Sequence, residues 1–82
     1  MSVQILYFAS LKEALKCPGE SIELPAGVSS IGEMRDHLIT QGRVALATAK
    51  NLRVALNQEM VKMDAPLKDG DELAFFPPVT GG

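Results

Sequence analysis

Hydrophobic residues near the start of the chain follow strand-like and helix-like spacings in turn. The run 3–8 is rich in β-branched and aromatic side chains, which favours a strand inside a sheet. The run 21–24 alternates polar and apolar residues, as a half-exposed edge strand does. Between them, Ser10 and Glu13 have capping-box spacing and predict a short helix that begins at Ser10. The first third therefore predicts strand, short helix, strand.

The middle of the chain has the pattern of one main helix. Ser30 and Glu33 have capping-box spacing at its start, and Gly42 is a natural stop. Apolar residues recur at intervals of three and four on one side of this helix: Ile31, Met34 and Leu38. The segment 43–50 is compatible with a helical extension or with a packed loop, and both interpretations stay open.

Strand patterns return in the last third. The run 52–56 alternates, and a polar reversal at 57–59 leads into a second short strand at 60–63. A loop dense in turn-forming residues, 64–70, precedes a final apolar strand at 73–76. Five short strands and one main helix predict an α+β fold of the β-grasp type, a mixed sheet packed on the helix. The strand order stays open, although side-by-side placement of the first and last strands would bury the two most apolar segments together.

The final strand is followed by six residues of unusual composition: Pro77, Pro78, Val79, Thr80, Gly81 and Gly82. The prolines fix φ and lack N–H donors, so the strand is expected to end at Phe76 and the tail to leave at a defined angle. Six extended residues reach about 20 Å, and glycine, without a Cβ, fits a channel too narrow for other residues. The sequence predicts a domain at 1–76 and a tail at 77–82 that suits delivery into another protein's active site. A frayed terminus is the alternative.

Composition excludes several functional classes. The chain has 82 residues, a formal charge of −2 and no cluster of Lys and Arg, which argues against nucleic-acid partners and against a polybasic membrane patch. One cysteine cannot form an internal disulfide, and neither a signal-peptide pattern nor a run long enough to span a bilayer occurs. The sequence therefore predicts a cytoplasmic protein that contacts neither nucleic acid nor membrane.

No side chain inside the domain has the neighbours that catalysis or metal binding requires. Cys17 has no histidine or acid placed beside it by sequence, so a packing role is favoured over a nucleophile. His37 flanks the apolar side of the main helix without a second ligand at metal spacing, which predicts a boundary histidine and no metal site. Asp69, Asp71 and Glu72 surround a glycine and are typical turn formers. No phosphate-binding glycine motif occurs.

The tail remains as the candidate reactive group, and its carboxylate is a poor electrophile until it is activated. Adenylation of Gly82 would create a good leaving group, and attack by a sulfur donor would then leave a thiocarboxylate, a soft and potent nucleophile. The chain cannot perform this ATP chemistry alone. We therefore expect a partner enzyme to use ATP, and we expect this chain to bind no cofactor.

The stretch 66–82 carries a family resemblance. Its sequence, PLKDGDELAFFPPVTGG, resembles the C-terminal signature of the small subunits of molybdopterin synthase, which are ubiquitin-like sulfur carriers. The runs 6–9 and 54–58 resemble the first strand and the hairpin of that family. The resemblance spans the whole chain in length and element order, and it is highly specific in the last third.

The resemblance implies a concrete reaction sequence. An adenylyltransferase similar to ubiquitin-activating enzymes would adenylate Gly82, and a sulfur-donor protein would convert it to the thiocarboxylate. The tail would enter the large subunit of molybdopterin synthase, where sulfur transfer to cyclic pyranopterin monophosphate builds the dithiolene that later holds molybdenum. The other catalytic groups would belong to the large subunit, so this chain would not be catalytic alone. The resemblance also suggests a heterotetramer of two small and two large subunits.

Strand alternation predicts a face for this partner. If Leu73 and Phe75 point into the core, Ala74 and Phe76 point outward. An exposed phenylalanine just before the tail is a suitable interface anchor. The resemblance implies that Phe76 and Met60 contact the large subunit. Packing at the edge of the core is the alternative for both residues.

Three other functions stay open at this point. The thiamine-pathway sulfur carrier shares the diglycine end and the activation chemistry, although the Phe-Phe-Pro-Pro stretch at 75–78 argues against it. A ubiquitin-like modifier would join Gly82 to lysines of other proteins. A plain interaction domain would have an inert tail.

Overall fold

Eight secondary-structure elements follow one another in the computed structural model, which describes residues 2–49 and 51–77. The elements are β1 (Ser2–Tyr7), α1 (Ala9–Leu15), β2 (Gly19–Glu23), α2 (Ile31–Thr40), α3 (Ala45–Thr48), β3 (Arg53–Leu56), β4 (Glu59–Val61) and β5 (Glu72–Phe76). In this part of the chain, no helix has both the length and the apolar character needed to cross a membrane. The predicted path of the tail at 78–82 lies outside the described residues.

The five strands form one mixed sheet in the order β2-β1-β5-β3-β4. β1 and β5 are parallel, with Ile5 opposite Leu73 and Tyr7 opposite Phe75, and the other neighbours are antiparallel. The strand order, which the sequence left open, places the first and last strands side by side, and the predicted edge position of β2 is confirmed. The α+β arrangement of β-grasp type is confirmed as well.

One face of the sheet and the helices enclose the core. The buried side chains of the sheet include Val3, Ile5 and Tyr7 from β1, and they meet Met34 and Leu38 from α2. Burying a large aliphatic side chain contributes roughly 1.5–3 kcal/mol relative to its exposure to water. The predicted apolar stripe of the main helix is therefore the surface that packs on the sheet.

The start of α2 is capped as the sequence predicts. The Ser30 hydroxyl accepts a hydrogen bond from the Glu33 backbone N–H at 3.2 Å, and the Glu33 carboxylate accepts from the Ser30 N–H at 3.1 Å. That carboxylate also accepts from the backbone N–H of Ser29 at 2.8 Å, and these bonds, led by the one from Ser29, lower the pKa of Glu33. The next two N–H groups donate to the loop before β5: Ile31 to the carbonyl of Ala65 at 3.1 Å and Gly32 to the carbonyl of Met63 at 2.8 Å. The helix start is thus fastened to the loop that precedes β5.

The predicted cap of α1 is wrong. The helix begins at Ala9 instead of Ser10, its N-cap position is Phe8, and no side chain caps it. The Phe8 N–H donates to the Phe75 carbonyl at 3.2 Å, so pairing with β5 continues one residue past β1. The chain then turns sharply at Ala9, which has a φ of 52°. Long-range strand pairing overrides the local Ser10–Glu13 signal.

The ambiguous segment 43–50 contains a single helical turn, α3, over the part that the structure describes. Leu46 from this turn is buried in the core. Gly42 ends the preceding helix with a φ of 102°, in the region that favours glycine. The segment is therefore neither a simple extension of α2 nor an irregular loop.

Candidate functional site

The root of the tail is held in the interior of the sheet. β5 lies between β1 and β3, and Leu73 and Phe75 are fully buried, which confirms their predicted inward orientation. Phe75 packs beside Tyr7 with 6.2 Å between the ring centroids. Pro77 follows at the end of β5 as the last residue that the structure describes. The tail therefore starts from a strand bonded on both sides.

The opposite face of the sheet carries a row of apolar residues, which we call the outer row: Gly19, Leu6, Ala74, Ala55 and Met60. The row is defined by cross-strand register, each residue standing opposite the next on the neighbouring strand. The two alanines are shielded by their neighbours, at 6% exposed for Ala74 and 5% for Ala55. Ala74 faces outward as predicted, and yet it is buried. The middle of the outer row therefore consists of small side chains, with the larger Leu6 and Met60 on either side of them.

Two phenylalanines stack beside the outer row where the tail leaves. The rings of Phe8 and Phe76 are 4.7 Å apart between centroids and inclined by only 7°. Phe76 is half-buried by this contact, whereas Phe8 is 41% exposed. Such a pair contributes about 0.5–1.5 kcal/mol beyond the burial of its area. The predicted anchor Phe76 is therefore one half of an aromatic platform at the root of the tail.

Phe8 is a candidate interface residue that sequence reasoning missed. The signal was present, because alternation along β1 puts residue 8 on the same side of the sheet as Leu6. Residue 8 closes the predicted strand at 3–8, but its position beside Phe76 depends on the register between β1 and β5, which the local pattern does not give. Pairing of β1 with β5 one residue beyond Tyr7 sets Phe8 beside Phe76.

Met60 lies on the same face as the aromatic platform. Met60 lies in β4, opposite Ala55 of β3, and its side chain is 55% exposed. This exposure favours the predicted interface position over packing at the edge of the core. One strand separates β4 from β5, and Met60 is in register with Ala74, two residues before Phe76, so Met60 and Phe76 lie about 12 Å apart on this face. A groove of about 430 Å³ lies next to Met60 and is lined by Leu52, Arg53, Val54, Val61, Lys62 and Met63 as well.

The end of the sheet away from the tail is polar and tightly hydrogen-bonded. The Glu72 N–H donates to the Asn57 side chain at 2.9 Å, and the Asn57 amide donates to Asp71 at 3.1 Å. Asp71 also accepts from the Lys68 N–H at 2.9 Å. Asp71 therefore shapes the turn before β5, as predicted.

Cys17 borders a second groove, of about 520 Å³, on the other side of the molecule. The Tyr7 hydroxyl donates to Glu20 at 2.6 Å, and the guanidinium of Arg43 forms an ion pair with the same carboxylate. Hydrogen bonds from Arg43 lower the pKa of Glu20, while burial, followed by the bond to Glu20, raises the pKa of Tyr7. The hydroxyl, the carboxylate and the guanidinium therefore serve as hydrogen-bond partners for one another, and they link β1 and β2 to the segment after α2.

The internal candidates that the sequence raised are not brought together. Cys17 is half-buried against the core, and His37 is half-buried on α2, where its carbonyl accepts from the Thr40 hydroxyl at 2.6 Å. Within residues 2–49 and 51–77, no three His, Cys, Asp or Glu side chains form a group able to hold a metal ion. The outer row and the aromatic platform are thus the candidate site of the described chain.

The sequence matches a known protein family and characterised relatives over nearly its whole length. The model of the ThiS family matches residues 5–82. The molybdopterin synthase sulfur carrier subunit of Escherichia coli (strain K12) is 42% identical over 98% of this chain and 99% of its own length.

Solved structures show the same fold. The small archaeal modifier protein 1 (SAMP1) of Haloferax volcanii superimposes with a TM-score of 0.81 at 26% identity, covering 100% of both chains. A protein-protein complex of subunits 1 and 2 of the molybdopterin-converting factor from Helicobacter pylori contains a chain that matches with a TM-score of 0.66 at 28% identity, also over 100% of both chains. The protein described here belongs to the ThiS family and to the family of molybdopterin synthase sulfur carrier subunits.

Proposed function

We propose that this chain carries sulfur as a thiocarboxylate on Gly82 and donates it inside the large subunit of molybdopterin synthase. The acceptor is cyclic pyranopterin monophosphate, and the product is the dithiolene of molybdopterin. The family membership and the tail composition support this proposal.

The activation chemistry belongs to other proteins. An adenylyltransferase of the ubiquitin-activating type uses ATP to convert the Gly82 carboxylate to an acyl-adenylate, with release of pyrophosphate. Hydrosulfide supplied by a sulfur-donor protein then attacks the acyl carbon and AMP leaves, so that a C–S bond replaces the C–O bond to AMP without a change of oxidation state. The thiocarboxylate is the better nucleophile of the two states, so sulfur loading switches the tail from inert to reactive.

One observation carries the proposal: the tail begins at a fixed point beside an apolar face. β5 is paired with β1 up to Phe75 and with β3 up to Phe76, so the position of Pro77 relative to the sheet is defined. Pro77 and Pro78 direct the exit because their φ angles are fixed. Val79, Thr80 and Gly81 then occupy the partner's channel and present Gly82 to the substrate.

The outer row and the aromatic platform form the surface on which the large subunit docks. Phe76 and Met60 are its anchors, and Phe8 extends the aromatic contact. The Helicobacter pylori complex supports this step, because it shows that a protein of this fold associates with its subunit 2. Docking on the face from which the tail emerges brings the channel and the tail into line.

Mass spectrometry of the C-terminal peptide tests the proposal. After incubation with the activating enzyme, ATP and a sulfur donor, the peptide should gain the mass difference between sulfur and oxygen. A variant extended by one residue beyond Gly82 serves as the control and should neither gain this mass nor support dithiolene synthesis. Full activity of the extended protein, without trimming, would reject the proposal.

Protein modification is a second candidate function, favoured by the likeness to the modifier protein of Haloferax volcanii. In that case Gly82 would be joined to lysine side chains of other proteins. A branched lysine peptide that carries the C-terminal residues would show this in cell extracts. An oxygen-to-sulfur exchange without branched peptides would favour the carrier function alone.

A further inference from the structure

Two cations lie on the outer face at the end of the sheet where the tail leaves. Arg53 stands opposite Phe76 in the β3–β5 register. Lys62 directly follows β4, and continuing the Val54↔Val61 register places it beside Arg53. Both side chains are exposed. We call this pair the basic corner.

The basic corner is not neutralised within the part of the monomer that the structure describes. The ion pairs there join Arg35 to Asp36 and Arg43 to Glu20, and neither involves the corner. Like charges that face each other across neighbouring strands destabilise the sheet. The arrangement therefore carries a cost in the monomer that an anionic partner would remove.

Charge on the outer face changes sign from one end to the other. The end away from the tail carries Glu72 and Asp71 on β5 and the turn before it, and Glu23 ends the edge strand β2. The whole chain has an excess of acids, with a formal charge of −2. A positive corner on such a protein orients a partner during encounter, because the opposite approach would bring like charges together.

The groove beside Met60 determines which kind of ligand the basic corner prefers. Arg53 and Lys62 line a groove of about 430 Å³ whose other walls are mostly apolar. A guanidinium binds a carboxylate through two parallel hydrogen bonds, and an ammonium adds a compact point charge. Acidic side chains carried on an apolar segment fit both the walls and the rim of this groove.

We propose that the basic corner binds acidic side chains of the protein that receives the tail and so sets the direction from which the tail enters. The inference rests on the proposed function, since it takes the large subunit as the protein that docks on the outer face. A nucleotide is a poorer occupant, because a phosphate on Gly82 would lie up to about 20 Å from Pro77 along an extended tail.

Charge reversal at the corner tests the inference. The double variant R53E/K62E is compared with K12E/K16E, which changes the net charge by the same amount on α1 and at its C-cap residue, Lys16; this helix packs through Leu11 on the core side. Association with the large subunit is measured by stopped-flow fluorescence across a range of salt concentrations. R53E/K62E should associate at least about tenfold more slowly at low salt. The difference should close toward about 1 M salt, where charges are screened within a few ångströms.

A neutral variant removes the positive charges without adding negative charges that would themselves repel an acidic partner. R53Q/K62Q should associate at a rate between wild type and R53E/K62E, and it should unfold cooperatively at or above the wild-type temperature because the like-charge contact is gone. An equal slowing of both charge-reversed variants, or a difference that salt does not reduce, would overturn the inference. A change confined to the KM for ATP in adenylation would assign the corner to the nucleotide instead.

Failure of the corner and failure of the proposed function give different results. If Phe76→Ala weakens binding and R53E/K62E does not, docking on the outer face stands and the corner is rejected. If the wild-type chain does not bind the large subunit, both proposals are rejected.

Discussion

Replacing Phe76 with alanine separates the two roles of the aromatic platform. In the monomer the change removes the stacking on Phe8, which contributes about 0.5–1.5 kcal/mol, and the burial of a ring that is already partly exposed. Leu73 and Phe75 remain fully buried, so β5 keeps its place. We expect a loss of about 1–2 kcal/mol in the free energy of unfolding and a folded monomer.

The same substitution should affect the complex more strongly. An aromatic anchor at the centre of an interface typically contributes 2 kcal/mol or more, and 1.4 kcal/mol corresponds to a tenfold change in Kd. We therefore expect affinity for the large subunit to fall by about 30-fold or more. Isothermal titration calorimetry measures this loss, and thermal unfolding should show a decrease in Tm of about 4–8 °C for each 1 kcal/mol lost.

Val44→Ala is the matched control for this experiment. Val44 is 62% exposed at the N-cap of α3, away from the outer face, and its truncation should leave the affinity unchanged. A Phe8→Ala, Phe76→Ala double-mutant cycle then isolates the stacking energy in the monomer. Wild-type affinity in Phe76→Ala, or an unfolded Phe76→Ala monomer, would refute the division of roles.

The remaining predictions concern the frame that positions the site. Gly19→Ala should destabilise the monomer by about 1–3 kcal/mol in urea unfolding, because a Cβ there would lie 2.5 Å from the Ile5 carbonyl oxygen; unchanged stability would show that β2 moves aside freely. Ser30→Ala should cost about 1 kcal/mol through the lost cap of α2, and an equal loss in Ser10→Ala would contradict the cap assignment. The lowered pKa of Glu20 stabilises the fold above the ordinary carboxyl pKa of about 4.3, and this stability is lost as pH falls through the lower folded value. Glu20→Gln should therefore flatten the acid side of the stability profile, and an unaltered profile would rule out the Arg43 pair as its source.

The sheet and the main helix followed from local patterns in the sequence. The two most apolar segments, β1 and β5, pair in parallel because each is then buried between neighbouring strands. Alternation along β5 directs Leu73 and Phe75 into the core and Phe76 to the outer face. The Ser30–Glu33 box predicts the start of α2 because its hydrogen bonds are local. In each case the contacting residues recur at short, regular intervals that can be recognised in the sequence.

Features that depend on distant residues were not predictable in the same way. Arg43 pairs with Glu20, 23 positions away, and this contact helps to hold the segment whose structure the pattern left open. Phe8 closes the predicted first strand, but its place beside Phe76 follows from the pairing of β1 with β5 and the hydrogen bond to Phe75, 67 positions away. The basic corner needs the β3–β4 register, since Arg53 and Lys62 are otherwise ordinary exposed charges.

The chemical state of the Gly82 carboxyl group tests the central claim most directly. Mass spectrometry of the intact chain, purified from cells that synthesise molybdopterin, should reveal a fraction with one oxygen replaced by sulfur, and this fraction should disappear when the large subunit and its pterin substrate are added. A carboxyl group that remains unmodified in such cells, while dithiolene synthesis proceeds with this chain as the only small subunit, would contradict the proposed sulfur-carrier chemistry.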